Sequence, residues 1–215
     1  MTFAQVKNPR VAFTLVEVLI SSMILVTLFT AVFKIFRSST YMMKAGMWTT
    51  KAQNSMRNTL TLLRDEIAKS TWFTTVTENG IIEKSGDYYF YYKKGELSTT
   101  FNGPIFKFYQ CRTAIDLPGQ TSPGSAVYCE VVKTGSKLFF TKTQKEGTSD
   151  ETTFTQKLLL EDISKIKIDD IAAASTEQMA QKMISIVFSA ADPEKPDRLV
   201  TEETKAKVDC KTRLL

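Results

Sequence analysis

Residues 11–36 read VAFTLVEVLISSMILVTLFTAVFKIF, an apolar run interrupted only by Glu17 and Lys34. No other feature restricts the fold as strongly. The stretch 13–33 would make a helix about 31 Å long, matching the roughly 30 Å hydrocarbon thickness of a bilayer. A cleavable secretory signal would instead have an apolar region of about 7–15 residues followed by a small-x-small site. Here the run is longer, carries a carboxylate early and continues into KIFRSSTYMMK with no such site. A core helix of a soluble protein is seldom apolar on every face over this length. The run therefore predicts a membrane-spanning helix.

Glu17 is the residue that a simple anchor does not explain. An ionised carboxylate inside a span costs about 2.5–3.5 kcal/mol on insertion scales, so it calls for a partner. Snorkelling toward headgroups from a helix end is the structural alternative.

Composition removes most catalytic chemistry. The 215 residues contain no histidine, which excludes Ser-His-Asp and Cys-His catalysis and histidine-ligated zinc. Three cysteines cannot complete a four-thiolate metal or iron–sulfur site. A net charge of +5 is too mild to demand nucleic acid, and 43% hydrophobic content is too high for a disordered chain. No phosphate-binding loop is present, no cofactor is expected and an enzyme is not the expected function.

The residues around Glu17 carry a resemblance. A short leader with Lys7 and Arg10, then Ala12, then Phe13-Thr14-Leu15-Val16-Glu17 opening an apolar helix resembles the class III signal of type IV pilins and type II secretion pseudopilins. That resemblance implies prepilin peptidase cleavage between Ala12 and Phe13, N-methylation of Phe13, and Glu17 as the glutamate at the fifth mature position. The family normally has glycine before the cut, where this chain has Ala12. In a water-free filament core the Glu17 carboxylate of one subunit would neutralise the Phe13 amine of a neighbour, rewarding one axial offset. Lys7 and Arg10 on one side are balanced by Lys34, Arg37 and Lys44 on the other, so orientation follows from the resemblance and not from charge counting.

Beyond the span, Tyr41, Ala45, Trp48, Ala52, Met56, Leu60, Leu63 and Ile67 recur at steps of three and four, one helical stripe. Without a proline between Pro9 and Pro104, a near-continuous helix over 13–70 is expected, bent at most at Gly46. Tyr41, Met42, Met43, Met47 and Trp48 suit contacts with sibling helices near the interface belt.

Strand signals dominate the remainder: 71–77, 87–92, 101–111, 126–133 and 137–142, followed by 154–160, 163–168, 183–189 and 198–208. Asn79-Gly80, Lys94-Gly95-Glu96 and Thr134-Gly135-Ser136 read as turns, and 116–125 and 192–197 as loops. The expected class is α+β, a long N-terminal helix packed against an antiparallel β-sheet head, as in pilins. The expected organisation is a leader at 1–12, a transmembrane and filament-core helix at 13–36, an amphipathic helix at 37–70 and a β-rich periplasmic head at 71–215. Leu62-Leu63-Arg64-Asp65-Glu66-Ile67-Ala68 and Leu158-Leu159-Leu160-Glu161-Asp162-Ile163 resemble segments of the larger PilW-type minor pilins and the J-type pseudopilins.

In an exported head, Cys111 and Cys129 could close a loop of about 18 residues, stabilising it by about 3 kcal/mol. Cys129 with Cys210, or three reduced thiols, satisfies the sequence equally. The adjacent acids Asp65/Glu66, Asp169/Asp170 and Glu202/Glu203 point apart on helix or strand and read as solvated charge. Asp192, Glu194 and Asp197 fit no recognised calcium-loop spacing, and no metal is expected.

The leading expectation is a minor pilin or pseudopilin, held in the bacterial inner membrane with a periplasmic head and then assembled into a pilus or pseudopilus, at its tip or initiation complex. The implied partners are prepilin peptidase, other major and minor pilins or pseudopilins, the inner-membrane assembly platform and, before assembly, membrane lipid. The rival is a tip adhesin or DNA-capturing competence pseudopilin using Tyr88, Tyr89, Tyr91 and Tyr92 with Lys93, Lys94 and Lys107, although nucleic acid is the disfavoured partner because aromatic strands usually face a core. A single-span protein with an enzymatic head is a third class, which the absent histidine argues against.

Overall fold

A computed structural model describes residues 14–86, 88–146, 156–171 and 182–215. The leader and the expected cut between Ala12 and Phe13 lie outside the described residues, as does the start of the expected strand at 154. The chain divides into two units, Met1–Met47 and Trp48–Leu215. One helix, α1 (Leu15–Ala68), runs through the boundary. It is long and apolar enough to cross a membrane by length and composition.

In the first unit every described residue from Thr14 to Lys44 is exposed, including Leu15, Met23 and Phe33 at more than 70%. Such a surface is unstable in water and suits hydrocarbon. Four of its hydroxyls are satisfied internally. Ser22 donates to the Leu19 carbonyl, Thr27 to Met23 and Ile24, Thr30 to Val26 and Thr40 to Phe36, at 2.8–3.0 Å. None of these side chains therefore brings an unpaired donor into lipid.

In the second unit the stripe engages a core. Trp48 and Ala52 are half-buried against it, and Met56, Leu60, Leu63 and Ile67 are buried within it. Tyr41, at the other end of the expected stripe, is exposed. The helix stops two residues short of the expected Ser70. Ser70 donates to the Ile67 carbonyl at 2.9 Å in a tighter turn, and the Thr71 N–H leaves for the carbonyl of Tyr109.

Fourteen strands follow among the described residues. The first seven are β1 (Thr74–Thr77), β2 (Gly80–Glu83), β3 (Phe90–Tyr92), β4 (Gly95–Leu97), β5 (Gly103–Arg112), β6 (Ala114–Leu117) and β7 (Gln120–Ser122). The rest are β8 (Ser125–Thr134), β9 (Lys137–Glu146), β10 (Lys157–Leu160), β11 (Ile163–Ile171), β12 (Lys182–Asp192), β13 (Lys195–Val208) and β14 (Thr212–Leu214). They form three sheets, in the orders β2-β1-β6-β7, β10-β9-β8-β5-β3-β14 and β13-β12-β11-β4. The class is α+β, as the sequence suggests.

Three expectations need correction. The head is not purely antiparallel, because β1 pairs β6 and β3 pairs β14 in parallel. Each of these pairs is joined by a long connection, which permits parallel pairing where a tight hairpin would not. Lys94-Gly95-Glu96 is not a hairpin turn either. Gly95, at φ 106°, is the corner where the chain leaves one sheet, so that β4 pairs with β11 of another. The expected loop at 116–125 also contains a short hairpin, β6 to β7, turning at Gly119 with φ 80°. The turn at Thr134-Gly135-Ser136 does join β8 to β9, with Gly135 at φ 58°.

Strand alternation decides what faces α1. Phe106, Phe108, Cys129 and Val131 point inward from β5 and β8 into one core with Ile166, Ile168, Ile184, Ile186 and the helix residues Leu60, Leu63 and Ile67. Phe90 anchors the aromatic part of that core, with ring centroids 5.8 Å from Phe106 and 5.5 Å from Phe108.

Candidate functional site at the start of the long helix

Thr14 and Glu17 close the helix start on each other. The Thr14 N–H donates to Glu17 Oε2 at 2.9 Å, the Thr14 hydroxyl donates to the same oxygen at 3.0 Å, and the Glu17 N–H donates to Thr14 Oγ1 at 3.3 Å. Thr14 is the N-cap and Glu17 the third helical residue, so this is a reciprocal capping box. It satisfies end donors that would otherwise be orphaned in an apolar setting. An acid in the first turn also meets the positive end of the helix dipole.

The arrangement gives Glu17 a local partner without exhausting it. Both acceptor contacts fall on Oε2, and a carboxylate offers about four lone-pair sites over its two oxygens. Among the described residues Oε1 receives no hydrogen bond, so a second donor can be added without breaking the cap. Thr14 is the residue that sequence reasoning missed. Its signal was present as Thr14-Leu15-Val16-Glu17, the Thr-x-x-Glu spacing ahead of an apolar run.

The other candidates disperse. Cys111 sits opposite Ala126 in the β5–β8 ladder, whereas Cys129 sits opposite Phe108. An odd offset of three residues puts their side chains on opposite faces of the sheet, so the structure does not bring the expected disulfide pair together. No disulfide joins any of the three cysteines. Cys129 lies in the main core, where burial pushes its thiol up to about 12. Cys210 is buried beside Ser70, and its thiol donates to Ser70 Oγ at 3.5 Å.

The tyrosine–lysine stretch is not one surface. Phe90 and Tyr92 are fully buried, Tyr88 packs on Tyr109 at 5.0 Å, and Arg213 covers Tyr89 at 3.8 Å. Lys107 pairs with Glu130, and Lys94 with Asp170. Asp170 is the member of the acidic doublets whose surroundings are richest. It accepts from the Tyr92 hydroxyl and from Lys94, and Lys182 bridges both Tyr92 and Thr212. This cluster ties β3, β11, β12 and β14 together. Asp192 is spent on its own turn. Its oxygens accept from the Glu194 N–H and from Arg198, both at 2.9 Å. No acidic, cysteine or histidine group with metal-holding geometry occurs among the described residues.

The fold and this site together define an α+β protein with an N-terminal helix of membrane-spanning character followed by a β-rich head. Beyond that layout, no protein-family model, no curated protein and no solved structure matches the chain.

Proposed function

We propose that this chain is a minor pilin or pseudopilin subunit, processed by prepilin peptidase between Ala12 and Phe13 and then moved from the inner membrane into a type IV pilus or a type II secretion pseudopilus. The observation that carries the reading is the state of Glu17. It is the lone acid of an otherwise apolar, fully exposed helical segment, and it is held by Thr14 through one oxygen while the other has capacity for a second donor. In lipid the cap lowers the cost of storing the carboxylate. In a bundle of such helices, the amine created at Phe13 of a neighbouring subunit supplies the second donor, and the low dielectric strengthens that pair. Apolar packing alone leaves helices free to slide, whereas one buried pair selects a single offset.

The head supports the same assignment. Its core takes in the stripe from Met56 to Ile67, so the β-rich unit is built directly on the helix that would enter the filament. A head of this size suits a minor subunit in the tip or initiation complex.

The deciding measurement is mass analysis of the amino terminus of protein recovered from cells that express a prepilin peptidase. A chain beginning at N-methylated Phe13 is expected. A chain that still begins at Met1, in cells that process another prepilin, overturns the proposal.

A further inference from the structure

We infer that the second unit holds a binding site for a small zwitterion, an α-amino acid with an apolar side chain, in a cavity at its first helical turns. This site does not depend on the Glu17 reading, and either can fail without the other. The cavity measures about 220 Å³ and lies between α1, the end of β10 and Ala190 of β12. That is below the roughly 300–1,000 Å³ of drug-sized sites, so the ligand is a small one. Three chemically different parts of its lining point to what that ligand is.

The first is a set of donors on α1. Trp48, Lys51 and Ser55 follow one another at steps of three and four, so they share one face of the helix. They carry an indole N–H, an ammonium and a hydroxyl, and none of the three is bound to a described residue. Ser55 is half-buried, yet its hydroxyl does not turn back onto its own helix as those of Thr27 and Thr30 do. Donors lined up beside a cavity, with one positive charge among them, suit a carboxylate.

The second is a carboxylate from a different element. The turn between β10 and β11 brings Glu161 and Asp162 to the lining. Glu161 is already paired with Lys137 at 3.3 Å, whereas Asp162 meets no described cation. The turn is held in place. Asp162 takes the left-handed conformation at φ 60°, and the Ile163 N–H donates to the Ser136 carbonyl at 3.0 Å. Thr59, one turn beyond Ser55, donates to the Leu159 carbonyl at 2.9 Å and so ties the helix to β10 beside the cavity. The two charged walls are thereby fixed relative to each other, which pre-organises the site.

The third is apolar. Met56, Leu160 and Ala190 line the same cavity and are buried. An α-amino acid carries a carboxylate, an ammonium group and a side chain on one carbon, so it offers one substituent to each part of this lining. A simple acid would leave Asp162 unused, and a simple amine would leave Lys51 unused.

A zwitterionic lipid headgroup is the competing ligand, since it also joins an ammonium group to an anion. The cavity favours the amino acid, because its buried part has room for one short side chain and not for the paired acyl chains that a headgroup brings with it.

The test uses the full chain in detergent micelles, with empty micelles as the blank and dissociation constants read from saturation-transfer NMR titrations. The probes are L-phenylalanine, N-acetyl-L-phenylalanine, phenethylamine and glycerophosphoethanolamine. L-Phenylalanine is expected to bind at least about tenfold more tightly than the two analogues that each lack one charge, the worth of one charge-assisted hydrogen bond. Lys51→Gln should bring phenylalanine down to the level of phenethylamine, and Asp162→Asn, which tolerates the left-handed turn, down to that of the acetylated form. Both positions are exposed, so the far-ultraviolet circular dichroism should stay unchanged. No saturable transfer to phenylalanine, equal binding of phenylalanine and both analogues, phenylalanine binding that survives both substitutions, or its displacement by glycerophosphoethanolamine at equal concentration would each overturn the assignment.

Discussion

Lys142 of β9 closes on Glu66 in the last turn of α1, and Gln110 of β5 donates to the same carboxylate at 2.7 Å. Lys69 completes the set at 3.1 Å. The end of the helix is thereby tied to the middle of the largest sheet by a charge that is mostly shielded from water.

This cluster makes the head sensitive to acid. Burial by itself would raise the Glu66 pKa, but the hydrogen bonds from Lys142, Gln110 and Lys69, with the pull of the Lys142 charge, hold it below its ordinary 4.5. A depressed folded value means that the unfolded chain binds protons more readily in that window. The stabilisation is therefore complete above about pH 4.5 and is lost as pH falls through the lowered folded value. Thermal melts of the wild type from pH 7 to pH 3 should show that acid limb, and Glu66→Gln should flatten it. An unchanged limb in the variant would remove the assignment.

Lys133 should be among the costliest residues to replace. Its side chain is fully buried, and Nζ donates to the carbonyls of Ser98, Phe101 and Gly135 with no carboxylate in the set. Lys133→Met keeps the stem but orphans three carbonyls, at a cost of about 2–4 kcal/mol. Urea unfolding followed by circular dichroism should show that loss as a lower midpoint with an unchanged slope. A shift below about 0.5 kcal/mol, the size of an ordinary surface substitution, would show that water replaces the ammonium there.

The three thiols should react in order of access. With its pKa pushed up to about 12 in the core, Cys129 has almost no thiolate at pH 8, and Cys210 is also buried with its thiol shifted upward by burial. Cys111 is half-exposed. Iodoacetamide at pH 8 should label Cys111 first and reach the other two only on denaturation, as read by peptide mass mapping. Early labelling of Cys129 would mean that the β5–β8 face opens in the native state.

Under the proposed pilin function, Glu17→Ala and Thr14→Ala should separate storage in the membrane from assembly. Removing the carboxylate deletes an insertion cost of about 2.5–3.5 kcal/mol, so membrane insertion should hold or improve while incorporation into sheared fibres drops. Thr14→Ala removes the cap and should loosen the first helical turn by about 1 kcal/mol without abolishing incorporation, because Glu17 keeps its charge. Quantifying the subunit in fibre and membrane fractions checks both. Equal incorporation of Glu17→Ala and wild type would dissociate Glu17 from assembly.

Much of this protein follows from periodicities along the chain. The apolar run with its single acid, the three-and-four stripe through Leu60 and Ile67, and the alternation in β5 and β8 are each set by neighbours within a few residues, which is the range over which helix and strand repeats act. Tertiary structure decided the rest. Gly95 became a sheet-changing corner, β14 returned beside β3 in parallel, Cys111 and Cys129 fell on opposite faces, and Lys133, an ordinary strand residue by sequence, became a buried tie. These outcomes depend on which segments, tens of residues apart, repay the entropy of closing the chain between them, and local pattern carries no record of that balance.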